Sequence, residues 1–264
     1  LSKETDNILK LVRRVRPEGR VSVRRIGSFV NDVFLVKVDG EKFVAKRYTD
    51  WTSLKWFTLS LYGLGSVRFS ISGKRRMEAE YYFNDFLHRR GLPVPQILGS
   101  DPHTRLMLFS YAPGEQLLSR LAGTLGYSDP RELEREAADS AGSFVARAHG
   151  LDVALGDTRP ENFIVGHRAG ITFVDLEQAR HEGDFGWDVA EFLYYSGHYW
   201  LSYSGAVSGY VDAFIRAYAR EGDERILRRA ASTRYIRLFS LWTPPNIIYR
   251  IRKRLLKPQP ITRP

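Results

Sequence analysis

The sequence predicts an α+β fold of two lobes: a small antiparallel β-sheet lobe with one main helix, then a larger helical lobe. Three observations predict it. Short β-branched and aromatic runs crowd residues 21–48, helical periodicity dominates after residue 112, and Ala112-Pro113-Gly114 breaks the chain between them. The expected lobes are therefore 1–111 and 112–264. Of the 264 residues 43% are hydrophobic, which supplies a core and argues against global disorder.

In order along the chain, Ile8, Leu9, Leu11, Val12 and Val15 recur at helical spacing until Pro17 ends the run. Three strands follow at 21–26, 33–38 and 42–48. Asp39-Gly40 between the last two is a two-residue hairpin signal, because both residues tolerate positive φ. Residues 51–73, with Trp51, Trp56 and Phe57, read as a partly helical insertion. Residues 74–90 read as the main helix of the first lobe, stopped by Gly91 and Pro93, with strands at 97–99 and 106–109. Past Pro113 the pattern is helical over 115–122, 131–149, 187–200, 206–220 and 224–241. Only short strands at 163–165 and 171–174 interrupt it.

Cysteine is absent, which excludes disulfides, thiolate metal sites and cysteine nucleophiles and suits a reducing cytoplasm, a thermophile's included. The uncharged apolar run of interest, Trp56 to Val67, is 12 residues long, against the roughly 20 that a membrane span needs. A soluble cytoplasmic protein with no membrane partner is expected. Net charge is +10, and its distribution is uneven: from Arg225 onward there are 11 Arg/Lys and no Asp or Glu. Arg250, Arg252, Lys253, Arg254 and Lys257 form the densest cluster, with Tyr235, Trp242 and Tyr249 interleaved. Two readings stay open for this 225–264 region, a solvated basic face and a polyanion-binding one; the aromatics are equally readable as core.

Chemistry concentrates in Gly156-Asp157-Thr158-Arg159-Pro160-Glu161-Asn162, ahead of the strand at 163–165. The strand at 171–174 then delivers Asp175. An Asp, an Asn five residues on and an Asp past a hairpin converge at one hairpin end, where their oxygens suit Mg2+. One carboxylate is left to orient a hydroxyl.

This pattern resembles the catalytic and metal loops of the protein-kinase-like superfamily, D-x-x-x-x-N followed by D-F-G after a strand. The resemblance implies a bilobal kinase-like fold that uses ATP and Mg2+. It makes Asp157 the catalytic base, Asn162 and Asp175 metal ligands, and Arg159 a γ-phosphate contact. Asp188, in Trp187-Asp188-Val189-Ala190, matches the structural Asp that braces the catalytic loop. A literal Asp184-Phe185-Gly186 lacks a preceding strand and comes 22 residues after Asn162, so the metal role goes to Asp175. Phe43-Val44-Ala45-Lys46 resembles the strand that carries the phosphate-binding lysine, and Glu80 on the 74–90 helix would hold Lys46. Gly27 and Ser28 would belong to the phosphate loop, Val33 and Ala45 would cover the adenine, and Phe109 and Tyr111 would lie at the hinge. Singly, each residue has a plainer reading: a surface lysine, a solvated glutamate, an Asx turn, a packed helix-end His149. Their order along the chain carries the resemblance.

Three departures steer it. Leu155 stands where the family has His, only 13 residues separate Asp175 from Asp188 with no A-P-E motif after them, and the 51–73 segment is long. These point to the Bud32, RIO and aminoglycoside kinase branch. With the basic region, the outline is similar to archaeal RNA kinases that phosphorylate a tRNA ribose 2′-hydroxyl. RNA, tRNA above all, is the expected partner, and DNA is not, since it lacks that hydroxyl. A Ser/Thr protein kinase, a small-molecule or glycolipid kinase and a non-catalytic nucleotide- or RNA-binding scaffold stay open, as does a protein partner.

Overall fold

The computed structural model describes residues 3–27, 31–50, 70–122 and 129–257. They fall into two compact units: one takes the chain up to Ala112 together with Leu176–Gln178, the other Pro113–Asp175 and the chain from Ala179 on. Most of the expected insertion at 51–73 lies outside the described residues.

The first unit contains helix α1 (Lys3–Val15), strands β1 (Val21–Gly27), β2 (Asp32–Val38) and β3 (Glu41–Arg47), helix α2 (Gly73–His88), and strands β4 (Ile97–Asp101) and β5 (Leu106–Ser110). The sheet runs in the order β1-β2-β3-β5-β4, every neighbour antiparallel. Asp39 (φ 48°) and Gly40 (φ 92°) make the β2–β3 turn, both in the left-handed region that matches the twist of the flanking strands. Alternation sorts the side chains between two faces. Phe34, Val36, Val38, Phe43, Ala45, Leu106 and Leu108 pack with Ile8, Leu11 and Val12 of α1. Val44, Met107 and Phe109 instead pack with Tyr48 and with Met77 of α2. Each face of the sheet thus buries its own apolar set under its own helix.

The second unit begins with β6 (Glu115–Gln116), α3 (Leu117–Ala122), α4 (Glu132–Gly150), β7 (Val153–Ala154), β8 (Phe163–Val165), β9 (Ile171–Phe173) and β10 (Arg180–His181). Helices α5 (Phe185–Ser196), α6 (Gly205–Glu221), α7 (Glu224–Ala230), α8 (Thr233–Phe239) and α9 (Pro245–Leu256) follow. Three expectations need correction. The helix read at 115–122 gives its first two residues to β6, which pairs with β8. The helix read at 224–241 is α7 and α8, because the chain turns extended at Ser232 (ψ 142°) and the Ser232 carbonyl accepts from Tyr235 and Ile236. Serine starts helices better than it continues them. Residues 245–256, to which the pattern assigns no element, form α9, opened by Pro245, whose fixed φ suits a first turn.

The core of this unit is aromatic and holds the β8–β9 hairpin in place. Phe163 and Phe173 are paired directly across the hairpin and fully buried. Phe173 stacks on Phe144 of α4 at 5.1 Å, and Phe163 meets Phe192 of α5 edge-on at 5.1 Å. Burying each ring contributes about 1.5–3 kcal/mol. Helices α4 and α6 approach so closely that a Cβ on Gly142 would stand 2.4 Å from the Phe214 carbonyl oxygen. In an open helix Gly→Ala stabilises by about 0.5–1 kcal/mol. Here the backbone contact reverses the sign: Gly142→Ala should destabilise by about 1–3 kcal/mol, read from a denaturant melt. A melt unchanged or shifted upward would refute the close approach.

Candidate active site

A lysine amine loses its hydration when buried, so its partners have to replace it. Lys46 of β3 is buried, and its Nζ lies 2.7 Å from Glu80 Oε2 on α2 and 3.2 Å from Glu177 Oε2. The Tyr48 hydroxyl donates to the same Glu80 oxygen at 2.6 Å. Arg76, one turn before Glu80 and on the same helix face, is fully buried. Its Nη1 donates to Glu177 Oε1 at 2.9 Å and to Asn31 Oδ1 at 2.8 Å, and Nη2 to the Thr49 carbonyl. Asn31 Nδ2 closes the ring on Glu177 Oε2 at 2.6 Å. Two cations and two carboxylates of this unit alternate, so these four charges balance one another. Burial pushes the Glu177 carboxyl up, but Lys46 and Arg76 beside it outweigh this and hold it below the usual carboxylate range.

The sequence reading assigns no individual role to Glu177, Arg76 or Asn31. The available signal is that Glu177 occupies the glycine position of the D-F-G pattern, two residues after Asp175, while Arg76 precedes Glu80 by one turn. The two residues expected to cover the adenine, Val33 and Ala45, fall on opposite faces of the sheet. Ala45 sits on the α1 face of β3, away from Lys46, because successive strand residues point to opposite faces. Val44 is the neighbour that shares the Lys46 face, with Val33, which pairs with Lys46, and Phe109, which pairs with Val44. Gly27 ends β1 opposite Val33, after a bulge. Tyr111 follows β5, with Lys42 Nζ 5.1 Å over its ring. Ser28 lies outside the described residues.

In the second unit the segment before β8 is pinned from α5. The Asp188 carboxylate, fully buried, accepts the backbone N–H groups of Leu155 (2.7 Å) and Gly156 (2.9 Å). His149 Nε2, from the last turn of α4, lies 3.0 Å from it, with His149 Nδ1 2.7 Å from the Tyr218 hydroxyl. An imidazole therefore does reach this loop, from His149 rather than from position 155. Glu191, one turn beyond Asp188, accepts from the Thr158 N–H at 2.6 Å, and the Thr158 hydroxyl donates to the Asp188 carbonyl at 2.7 Å.

Asp157 lies between these fixed points. Arg159 forks onto it, Nε to Oδ1 and Nη2 to Oδ2 both at 2.7 Å, while Nη1 reaches Glu161 Oε1 at 2.7 Å. Burial pushes the Asp157 carboxyl up, but the Arg159 guanidinium outweighs it and leaves the acid below its usual range. Glu191 goes the other way: burial and the Asp157 charge push it well above. Environments that separate two acids in this way keep Asp157 the ionised one.

Asn162 closes the 3-10 turn of residues 160–162, donating Nδ2 to the Asp157 carbonyl at 2.9 Å. Its own carbonyl accepts from Val174 at 2.9 Å, which extends the β8–β9 ladder and sets Asp175 at the same hairpin end. Asp175 has φ 70°, an uncommon conformation that Asp tolerates better than most residues. Asn162 Oδ1 and the Asp175 carboxylate are hard oxygen donors, the kind a small divalent cation takes. The literal Asp184-Phe185-Gly186 opens α5, and the Asp184 carboxylate is taken by the Tyr235 hydroxyl (2.7 Å), Arg229 (3.4 Å) and Arg234.

Of the basic candidates, Arg250, Lys253, Arg254 and Lys257 line a cavity of about 320 Å³ together with Tyr203. Arg252 does not; its Nε donates to the Ala231 carbonyl at 3.2 Å. Tyr235 is core, whereas Tyr249 is 61% exposed. No helix among the described residues is long and apolar enough to cross a membrane.

A family model described as the phosphotransferase enzyme family matches residues 22–156, just over half of the chain. The match ends one residue before Asp157. No curated protein matches the chain.

The alternating charges of the first unit make a testable demand. Lys46→Met leaves Glu80 and Glu177 buried, with carboxylate oxygens within 4.8 Å of each other, and should destabilise by about 3–5 kcal/mol. Adding Glu177→Gln should recover part of that loss, read as two denaturant midpoints. Losses that simply add would mean that the carboxylates are not coupled through Lys46.

Proposed function

Because the chain belongs to the phosphotransferase enzyme family, we propose that it transfers the γ-phosphoryl group of ATP to a hydroxyl, and that the acceptor is a ribose 2′-hydroxyl of RNA, tRNA above all. The observation that supports the transfer most is the Asp157 loop. An ionised carboxylate stands between residues locked to α5, five residues before an amide and one hairpin away from a second acid. Phosphoryl transfer asks a protein for position and charge neutralisation, and for little covalent chemistry.

In this reading Lys46 binds the α- and β-phosphates. Glu80, held by Tyr48, keeps the amine placed while a phosphate oxygen replaces Glu177 as its second partner. Asn162 and Asp175 would hold Mg2+, whose charge would help neutralise the triphosphate. Arg159 turns from Asp157 to the γ-phosphate. That move unmasks the Asp157 carboxylate, which orients the acceptor hydroxyl and takes its proton as the oxygen attacks phosphorus. Val33, Val44 and Phe109 offer the apolar surface for the adenine.

The RNA acceptor is supported by the charge on α9 and the absence of any acidic residue from Arg225 onward. A Ser/Thr acceptor is favoured by Arg159 with Pro160-Glu161-Asn162. Against it, the 13 residues from Asp175 to Asp188 leave little chain for a peptide-docking segment.

Incubation with γ-labelled ATP and Mg2+, offered bulk tRNA or a total protein extract, separates the two. Label should enter tRNA, vanish with a chelator, and fall about 10²–10⁴-fold in Asp157→Ala. Label entering protein alone, or no Asp157-dependent label in either, would overturn the acceptor assignment, and ATP turnover unchanged by Asp157→Ala would overturn the transfer.

A further inference from the structure

We propose that the cavity formed by Tyr203, Arg250, Lys253, Arg254 and Lys257 is a phosphate pocket that takes a backbone phosphodiester of the RNA acceptor. The proposal deepens the acceptor reading above and rests on it.

The pocket is built by helical periodicity. Ile247, Ile248, Ile251 and Leu255 bury one face of α9. Arg250, Lys253, Arg254 and Lys257 stand at i, i+3, i+4 and i+7, a single stripe on another face, and all four line the cavity. Cations three and four residues apart repel one another. The helix C-terminus offsets part of this for the last turn, where Lys253 and Arg254 lie. Nothing comparable offsets it for Arg250.

Local neutralisation distinguishes this stripe from most of the basic residues just before it, Arg237 being the exception among the described residues. Arg225 pairs with Asp223 (2.7 Å), Arg228 with Glu224 (3.6 Å), and Arg229 and Arg234 with Asp184. Among the described residues, Arg250, Lys253 and Lys257 have no carboxylate partner. Arg254 shares Asp212, at 3.5 Å, and donates to Ser208 Oγ at 2.7 Å. No acidic residue lines the cavity. The stripe therefore carries an unmatched positive charge that an anion would complete.

The cavity also has a neutral donor at its wall. The Tyr203 hydroxyl is shielded from solvent and lies near Ser208, Asp212 and Arg254. A phosphate oxygen in the cavity could accept from it. Two features favour a polynucleotide over other anions. The volume exceeds the needs of a lone phosphate and admits a sugar–phosphate unit. Tyr249, beside Arg250 and 61% exposed, offers a ring on which a base can stack.

The test is RNA binding without ATP, followed by fluorescence anisotropy across a salt series. The pocket variant is Arg250→Gln/Lys253→Gln. Its control, Arg225→Gln/Arg228→Gln, removes the same net charge outside the cavity. The pocket variant should weaken binding about tenfold or more and lower the salt slope by about 2, while the control stays within about twofold. Tyr203→Phe, which keeps every charge, should weaken binding about threefold. Equal weakening by pocket and control variants would overturn the pocket and leave a diffuse basic face. So would a loss confined to phosphatidylserine vesicles or to an acidic peptide, with RNA binding intact. Label transfer to RNA by the unsubstituted protein is measured alongside. If it fails, the acceptor reading falls while the binding comparison still decides the pocket; if it succeeds and the variants bind alike, the pocket alone falls.

Discussion

Charge buried in a low-dielectric interior must be matched where it stands, and that constraint organises the first unit. Lys46 brings an ammonium into the sheet, Glu80 answers it from α2, and Glu177 answers it again. A second carboxylate next to the first would be costly alone, so Arg76 enters fully buried to balance it, with Asn31 bridging the pair. The outcome is a hydrogen-bonded set that ties strand, helix and the 176–178 segment together within one unit. Substituting one member leaves a buried charge, which is why the set behaves as a whole.

The second unit applies the same constraint to its backbone. Leu155, Gly156 and Thr158 bury N–H groups that no regular ladder satisfies, and the carboxylates of Asp188 and Glu191 accept them. His149 and Tyr218 complete the shell around Asp188, so α4, α5 and α6 all hold the segment that carries Asp157. Rigidity on either side of Asp157 fits a group that must meet an acceptor in line. Arg159 divides itself between two acids, bidentate on Asp157 and reaching Glu161.

Surface charge obeys looser rules. Water screens it, so the cations of α7 and α8 with acidic neighbours contribute little to stability. The α9 stripe is the contrast, since its charges are concentrated on one face and left largely unmatched.

Much was legible in the sequence because it is local. Period-two alternation marked the strands, Asp39-Gly40 the hairpin turn, and the Asp157, Asn162 and Asp175 spacing the end of the β8–β9 hairpin. The same alternation puts Ala45 on the α1 face of β3, opposite Lys46. The break at Ser232 was harder, since Leu227, Ala231, Tyr235 and Phe239 keep helical spacing across it. The sequence by itself determined most of the strands and helices and the order in which the candidate site residues arrive, because those depend on neighbours a few positions away. Only the tertiary structure decided which charges meet: Glu177 reaches Arg76 across 101 residues, and Asp188 reaches His149 across 39. Such pairings follow from how buried faces pack, and packing is a property of the whole chain.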